Sequence, residues 1–160
     1  MFQPAYFREE RPEVMRALMR AQPLATLVSS RAGSLYADHI PMTLHDDIGP
    51  LGTLRGHIAK ANPLCLEDTS PCEAIAIFQG PQTYITPSWY ASKAEHGKAV
   101  PTWNYVVAHA RGRLNFISDA SWLLDHLTDL TQRHEGARQT PWQVLDAPAE
   151  YIERQIKGIV

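Results

Sequence analysis

Hydrophobic positions between residues 12 and 21 recur with the period of an α-helix. The spacing i, i+3, i+4 and i+7 is filled by apolar side chains at Val14, Ala17, Leu18 and Ala21, which places them on one helical face. Pro12 suits the first helical position because its φ is already fixed and it has no N–H to satisfy. Pro23 ends the pattern. A short amphipathic helix is therefore predicted before the first strand.

Alternating and continuous apolar runs then predict a series of short strands, at residues 24–30, 35–42, 51–59, 74–78, 83–86, 102–110 and 113–118. The turn at 31–34 joins the first two strands as a hairpin. The run at 74–78 is continuous, which is typical of a strand buried on both faces. Gly80 and Pro81 are predicted to break the chain between the fourth and fifth runs.

Two further helices are predicted near the C-terminus, and residues 91–99 are predicted to be a polar loop. Ser118 or Asp119 is a suitable N-cap for the first helix, and Gly136 a suitable end. Its apolar face is predicted to carry Leu123, Leu127, Leu130 and His134. The last helix begins near Pro148 and uses Tyr151, Ile152, Gln155 and Ile156. Residues 159–160 resemble the beginning of another strand.

About seven strands with hairpin-length connections and three helices favour an antiparallel barrel with peripheral helices over a βαβ sheet. We therefore expect a mainly β fold in one domain spanning residues 1–160. The chain has 160 residues, of which 44% are hydrophobic and 20% charged. A domain of this size buries enough surface to need neither disulfides nor a metal for stability.

The charge is nearly balanced, with 15 Lys and Arg against 17 Asp and Glu and a net charge of −2. Nucleic-acid binding proteins usually carry a basic excess or a basic stripe, so charge gives DNA binding no support. No apolar run approaches the ~18 residues of a membrane span, and the N-terminus lacks a secretory signal. We expect a cytoplasmic protein without a membrane partner.

A first candidate site lies at residues 55–63, where a strand ends in Lys60, Asn62 and Pro63. Backbone donors in such a turn can hold a phosphate, and the ammonium group of Lys60 adds a positive charge. The alternative interpretation is a solvated lysine beside an ordinary Asn-Pro turn.

Two aromatic segments form the second and third candidate sites. Residues 78–90 contain four aromatic side chains and two prolines, and they end in Ser88, Trp89 and Tyr90. Rings with polar tips suit both core filling and stacking on a flat ligand. Two adjacent rings in a proline-containing turn do not easily face one core, which favours a ligand or a partner subunit. In the strand at 100–105, Thr102 and Asn104 lie on one side and Trp103 and Tyr105 on the other.

Metal and nucleophile sites have less support. The seven histidines form no HExxH pattern, and Cys65 and Cys72 have the wrong spacing for a zinc knuckle and are too few for a disulfide framework. A Cys65–His57 nucleophile pair stays open. The sequence contains no nucleophile elbow, P-loop or dinucleotide fingerprint.

Five segments, taken together and in order, resemble the PaiB family of FMN-binding negative transcriptional regulators. They are Ala-Asp-His-Ile-Pro-Met at 37–42, Gly-His-Ile-Ala-Lys-Ala-Asn-Pro at 56–63, Phe-Gln-Gly-Pro at 78–81, Tyr-Ile-Thr-Pro-Ser-Trp-Tyr at 84–90 and Val-Pro-Thr-Trp-Asn-Tyr at 100–105. The late Pro141-Trp142 pair also matches, and the resemblance runs from about Phe2 to the end of the chain.

The resemblance implies a split β-barrel of the flavin reductase and pyridoxamine-phosphate oxidase kind, and a homodimer with FMN at the subunit interface. It places the FMN phosphate and ribityl chain at His57, Lys60 and Asn62. Candidates for the second subunit's contribution are Ser88, Trp89, Tyr90, Thr102, Trp103 and Asn104. His39 and Pro41 lie on the second strand, where split barrels hold the isoalloxazine ring against the backbone.

The sequence departs from the family pattern at residues 82–83, which are Gln-Thr instead of His-Ala, and after Pro63, where an aromatic residue is expected. Family members also continue past Val160, and if that further segment is absent we expect an open barrel edge that weakens flavin binding and the dimer. Three functions remain: a regulator, a flavin-dependent oxidoreductase of a small molecule on the same scaffold, and a flavin-free interaction module. No side chain is singled out as catalytic, because the flavin itself can supply the chemistry.

Overall fold

The computed structural model describes residues 1–31, 33–66 and 69–160. The strands are β1 (Leu24–Arg31), β2 (Ser34–Pro41), β3 (Thr43–His45), β4 (Thr53–Arg55), β5 (Cys72–Ile85) and β6 (Thr102–Leu114). The helices are α1 (Pro12–Ala21), α2 (Pro63–Leu66), α3 (Ala91–His96), α4 (Ala120–Glu135) and α5 (Ala149–Lys157). Three short 3₁₀ turns lie at Ala5–Phe7, Pro87–Trp89 and Val144–Asp146.

Four strands form one antiparallel sheet in the order β2-β1-β5-β6, and β3 pairs with β4 in a separate hairpin. Along β1 alternate residues face inward, because side chains of a strand point to opposite faces in turn. The core on this face consists of Ala25, Leu27, Ile40, Met42, Leu64, Ala76, Phe78 and Ala108. The predicted hairpin of the first two strands is confirmed, with Leu27 opposite Asp38.

The predicted break at Gly80 and Pro81 is wrong, because β5 continues through both residues to Ile85. A register shift between Gln79 and Gln82 accommodates them. Proline has no N–H to give to a ladder, and a bulge is a position where that donor is not needed. Glycine at residue 80 lets α1 pack closely on the ribbon, since a Cβ there would lie 2.8 Å from Cδ1 of Leu18 and displace that side chain.

As a result, β5 and β6 form a long ribbon that projects beyond the rest of the sheet. The last β5 residue paired with β1 is Ile77, opposite Thr26, whereas pairing with β6 continues to Ile85 and Thr102. At roughly 3.3 Å per residue, the ribbon runs about 25 Å past that point.

The strand predicted at 51–59 is reduced to β4, and the chain beyond it pairs instead with the last residues. Ile58 and Val160 exchange two backbone hydrogen bonds of 3.0 Å, and Lys60 N donates to Gly158 O at 2.8 Å. Ala59 and Ile159 form an antiparallel bridge. At the position where a strand is predicted to begin, residue 159 forms this isolated bridge and no strand.

The antiparallel arrangement is confirmed, but the described strands do not close into a barrel. The four-stranded sheet stays open at β2 and β6, and the β3-β4 hairpin is a second, separate sheet. Helices and strands take similar shares of the chain, so the fold is mixed α/β instead of mainly β. β4 is only three residues long, and it pairs with β3.

The helices differ from expectation at two places. The predicted polar loop at 91–99 contains α3, which ends at Gly97 in the left-handed conformation with φ of 68°. On α4 the predicted inward face is partly wrong, because His126 is buried and His134 is exposed. The start of α4 is confirmed, since Asp119 Oδ1 accepts a hydrogen bond of 2.8 Å from Trp122 N.

A close approach of two chain segments at Gly56 predicts a measurable stability effect. A Cβ at residue 56 would lie 2.9 Å from Cγ2 of Ile40 and 3.1 Å from the backbone oxygen of Pro41. Ile40 is buried and cannot easily move, so Gly56→Ala should lower the free energy of unfolding by about 1–3 kcal/mol. Chemical denaturation of the wild type and the variant measures this loss in the free energy of unfolding. Gly112→Ala on β6, where a Cβ meets nothing within 4 Å, is the matched control, and equal effects of both substitutions would contradict the prediction.

Candidate functional site

The turn at residues 59–63 is held rigidly by the side chain of Asn62. Its Nδ2 donates to Oδ1 of Asp38 on β2 at 2.7 Å, and its Oδ1 accepts from Leu64 N at 2.8 Å. The second bond satisfies a backbone donor at the start of α2. Asn62 therefore acts as a brace between β2 and the turn, and sequence reasoning missed its partner Asp38.

Lys60 lies at the start of this turn with its backbone fixed and its side chain exposed. Within the described part of the chain, its ammonium group has no acidic partner. An exposed cation on a rigid turn can bind an anion without first breaking an ion pair.

His39 and Pro41 are exposed on the outer side of β2, whereas their neighbours Ile40 and Met42 face the core. The close contact between Gly56 and Pro41 and the Asp38–Asn62 bond hold β2 against residues 56–62. The structure thus brings the predicted residues His39, Pro41, His57, Lys60 and Asn62 onto two neighbouring segments.

His57 contacts a histidine that the sequence pattern did not single out. Its Nδ1 lies 3.2 Å from Nε2 of His126 on α4, and the two rings meet edge to face. His126 is 1% exposed, and Trp122 stacks on it at 5.6 Å between ring centroids. His126 is therefore a fixed partner for His57.

This contact belongs to a mainly polar interface between α4 and the β3-β4 hairpin. Residues at i, i+4, i+7 and i+11 of α4 form one stripe, consisting of Trp122, His126, Asp129 and Arg133. Across from them, the Arg55 guanidinium lies 5.3 Å from the centre of the Trp122 ring, and His45 Nε2 lies 3.4 Å from Asp129 Oδ2. The spacing i, i+4, i+7 and i+11 can be seen in the sequence, and it is the signal that could have placed His126 on this polar stripe.

The histidines of this interface are held neutral. Burial, followed by the positive potential of a protonated His57, lowers the pKa of His126 from 6.5 to about 4. Burial also lowers the pKa of His57, and burial together with Arg55 lowers the pKa of His45. Neutral imidazole rings can serve as uncharged donors and acceptors at neutral pH.

A cavity of about 170 Å³ lies between residues 53–58 and residues 113–117. Its lining is largely apolar, with contributions from Leu54, Ile58, Leu114, Phe116 and Trp122, and it also includes His57. Typical ligand pockets enclose about 300–1,000 Å³, so this cavity alone is too small for a large cofactor.

The second group of predicted residues lies at the projecting end of the β5-β6 ribbon. Thr86 Oγ1 accepts from Ser88 N at 3.3 Å, and Lys93 Nζ donates to Ser88 Oγ at 3.2 Å. Trp103 pairs across the ribbon with Tyr84, with ring centroids 6.2 Å apart. Trp89 is 69% exposed and Trp103 56% exposed; Tyr90, Thr102 and Asn104 are exposed as well.

The two groups remain separate within one chain. Among the described residues, no hydrogen bond or ring contact joins residues 39–62 to residues 88–104. The structure therefore does not assemble the eleven predicted residues into one site within a single protomer.

The Cys65–His57 nucleophile pair has no support. Burial raises the pKa of the Cys65 thiol, which disfavours the reactive thiolate. His57 instead faces His126. Cys65 and Cys72 are both free.

Over the described ranges, no helix is long and apolar enough to cross a membrane.

Comparison with known proteins identifies the class to which this fold and site belong. The model of the family described as "Putative FMN-binding domain" matches residues 1–160, the whole chain. Protease synthase and sporulation protein PAI 2 of Bacillus subtilis is 28% identical over 162 residues, covering 100% of this chain and 74% of the relative. The chain belongs to this flavin-binding family, in the PaiB group that its five motifs resemble.

Two fungal relatives are also similar. An uncharacterized protein of Emericella nidulans is 32% identical over 199 residues, covering 100% of this chain and 78% of the relative. An uncharacterized protein of Saccharomyces cerevisiae is 30% identical over 160 residues, covering 86% of this chain and 92% of the relative. Similarity to this family therefore extends from bacteria to fungi.

The buried histidine predicts that stability falls on acidification. Between pH 6.5 and about 4, the unfolded chain binds a proton at His126 that the folded chain does not, so the free energy of unfolding decreases as the pH falls through this window. The full difference corresponds to about 3 kcal/mol. Replacing His126 by glutamine should flatten this dependence, as measured by urea denaturation at several pH values.

The matched control is His134→Gln, at an exposed position on the same helix. This variant should keep the wild-type pH dependence. If His126→Gln kept it as well, the protonation of His126 would not be its source.

Proposed function

We propose that this chain is a dimeric FMN-binding protein with the role of a PaiB-like negative transcriptional regulator in the cytoplasm. The match of the whole chain to an FMN-binding family supports the cofactor. The observation that carries the proposal is the braced turn at residues 59–63, with the exposed ammonium group of Lys60, which has no acidic partner among the described residues.

The residues of this turn fit a phosphate group. The phosphate of FMN is an anion that loses hydration on binding, so donors and positive charge must replace the lost water. Lys60 supplies the charge, and the Asp38–Asn62–Leu64 hydrogen bonds hold its turn in position. Asn62 braces the turn through one N–H and the oxygen of its side chain, and its amide group has a second N–H that can donate to the phosphate or the ribityl chain.

The flat ring of FMN needs a larger surface than one protomer offers. His39 and Pro41 form an exposed edge beside the turn, and the neighbouring cavity is small. The exposed rings of Trp89, Tyr90 and Trp103 are a suitable stacking surface, but they lie on the distant ribbon. A second copy of the chain that contributes its ribbon would complete the site.

The split barrel is the arrangement that we propose for the strands. The β3-β4 hairpin follows β2 directly, and the cavity occupies the gap between residues 53–58 and the end of β6. The open gap and the separate hairpin are compatible with a barrel that is split instead of closed. Bound FMN supplies redox chemistry through its own ring, while the chain binds, orients and shields it.

The regulatory role comes from the family resemblance, and a flavin-dependent oxidoreductase is the second candidate. The net charge of −2 favours this alternative, because DNA phosphates are usually met by a dense basic surface. Bleaching of bound flavin by NAD(P)H would support the oxidoreductase. Sequence-specific retardation of promoter DNA would support the regulator.

The phosphate site predicts that Lys60→Ala weakens FMN binding but leaves riboflavin binding unchanged. A charge-assisted hydrogen bond contributes roughly 1.5–3 kcal/mol, so the dissociation constant for FMN should rise by about one to two decades. Riboflavin has no phosphate to lose a partner. Fluorescence titration of both ligands measures the difference.

Lys157→Ala is the matched control, because it removes the same charge from the exposed last turn of α5. It should have little effect on either ligand. An equal loss of FMN and riboflavin binding in Lys60→Ala would show that Lys60 shapes the ring site or the fold instead of holding the phosphate.

The exposed ribbon predicts a homodimer, because large exposed apolar patches usually mark an interface. Light scattering at micromolar concentration should give a mass twice the 18.0 kDa of one chain. Trp103→Glu should shift the protein to the monomer. Leu51→Glu, at another exposed apolar residue away from the ribbon, should remain dimeric. A wild-type mass of one chain would refute the dimer.

A further inference from the structure

The buried ring of His126 has one nitrogen without a hydrogen-bond partner. Its Nε2 lies 3.2 Å from Nδ1 of His57, whereas its Nδ1 has no partner among the described residues. A neutral imidazole carries its single ring proton on one nitrogen and a lone pair on the other. The position of this proton decides whether the other ring nitrogen of His57 is a hydrogen-bond donor or an acceptor.

The two possible proton arrangements differ in what they leave buried. If His57 donated from Nδ1, the proton of His126 would sit on its partnerless Nδ1, leaving a buried N–H without an acceptor. If His126 donates from Nε2, only a lone pair remains unpaired at Nδ1. Buried N–H groups without an acceptor are rarer in proteins than acceptors lacking a donor. The second arrangement is therefore favoured.

This arrangement determines the remaining atom of His57. Because its Nδ1 accepts the bond from His126, the proton of a neutral His57 ring sits on Nε2, on the opposite edge of the ring. Over residues 1–31, 33–66 and 69–160, no partner is found for this nitrogen. His57 is half-buried, and it lines the cavity between residues 53–58 and 113–117.

We propose that His126 is a positioning residue that fixes the tautomer of His57, so that His57 offers a neutral N–H donor from Nε2 to an uncharged acceptor of the bound ligand. For the identity of the ligand, this inference rests on the proposed function, where a carbonyl oxygen of the flavin ring or a ribityl hydroxyl is such an acceptor. It separates the role of His57 from that of Lys60, which provides the charge for the phosphate.

The surroundings of the pair keep this donor uncharged. Arg55 of β4 and His45 of β3 disfavour a further positive charge at His126, whereas Asp129 of α4 favours one. Burial outweighs the effect of Asp129 and lowers the pKa of both His126 and His57. The stacked Trp122 ring holds the imidazole of His126 in place.

The proton positions can be measured directly in the ligand-free protein. Nitrogen-15 NMR of the histidine rings at pH 7 shows which ring nitrogen carries the proton, and His57→Gln and His126→Gln assign the signals by their disappearance. We expect protons on Nε2 of both His57 and His126. A proton on Nδ1 of His57 would overturn the inference.

Flavin titration tests the ligand. His126→Phe removes the donor to His57 and should weaken FMN and riboflavin by the same factor, up to about tenfold, since one neutral hydrogen bond is involved. His126→Gln can place an amide donor near the same position and should retain affinity within about threefold. His134→Gln, at an exposed site of the same helix, should bind like the wild type.

The outcomes distinguish this inference from the proposed function. Unchanged affinities in a folded His126→Phe variant, or a loss restricted to FMN, would overturn the role of His57 as a donor to the uncharged part of the flavin. A wild type that binds neither flavin would overturn the proposed function and the ligand assigned to His57. The NMR result would still decide whether His126 fixes the donor.

Discussion

The structure of the candidate site depends on the anchoring of residues 56–62 from three sides. Gly56 lies so close to β2 that a Cβ there would be 2.9 Å from Cγ2 of Ile40, and Asn62 is bonded to Asp38 of the same strand. His57 contacts α4, and Ile58 and Lys60 are hydrogen-bonded to residues 158–160. These contacts join distant parts of the chain, so the position of Lys60 depends on β2, α4 and the residues after α5 together.

The interface between α4 and the β3-β4 hairpin is specific because it is polar. Apolar side chains tolerate small shifts, but a hydrogen bond between imidazole rings and an ion pair require defined distances and directions. Replacing such contacts by apolar ones would not fix the orientation of the His57 ring. The same polarity makes the stability of the interface depend on pH. Protonation of His126 would place another positive charge beside Arg55 and His57 in a buried position, which is unfavourable.

The ribbon of β5 and β6 explains why one protomer leaves its aromatic residues exposed. Among the described residues, no further strand pairs with the ribbon beyond Ile77, so the side chains at its projecting end have little of the chain's own core to cover. Gly80 and Pro81 lie at the register shift of the ribbon, where Leu18 of α1 packs close to Gly80. The resulting surface leaves Trp89 and Trp103 exposed, and it is the stacking surface that we propose for the flavin ring.

Local patterns in the sequence determined α1, the β1-β2 hairpin and the start of α4, because period, proline position and capping act within a few residues. The five motifs also identified the family. Only the tertiary structure decided that β5 passes through Gly80 and Pro81, since a packed helix and a bulge overrode the local break signal. It likewise decided that Asn62 braces Asp38, that His126 instead of His134 is buried, and that the predicted residues lie in two separate groups. The contacts made by Asn62, Gly80 and His126 join residues 24 to 69 positions apart, which no local periodicity encodes.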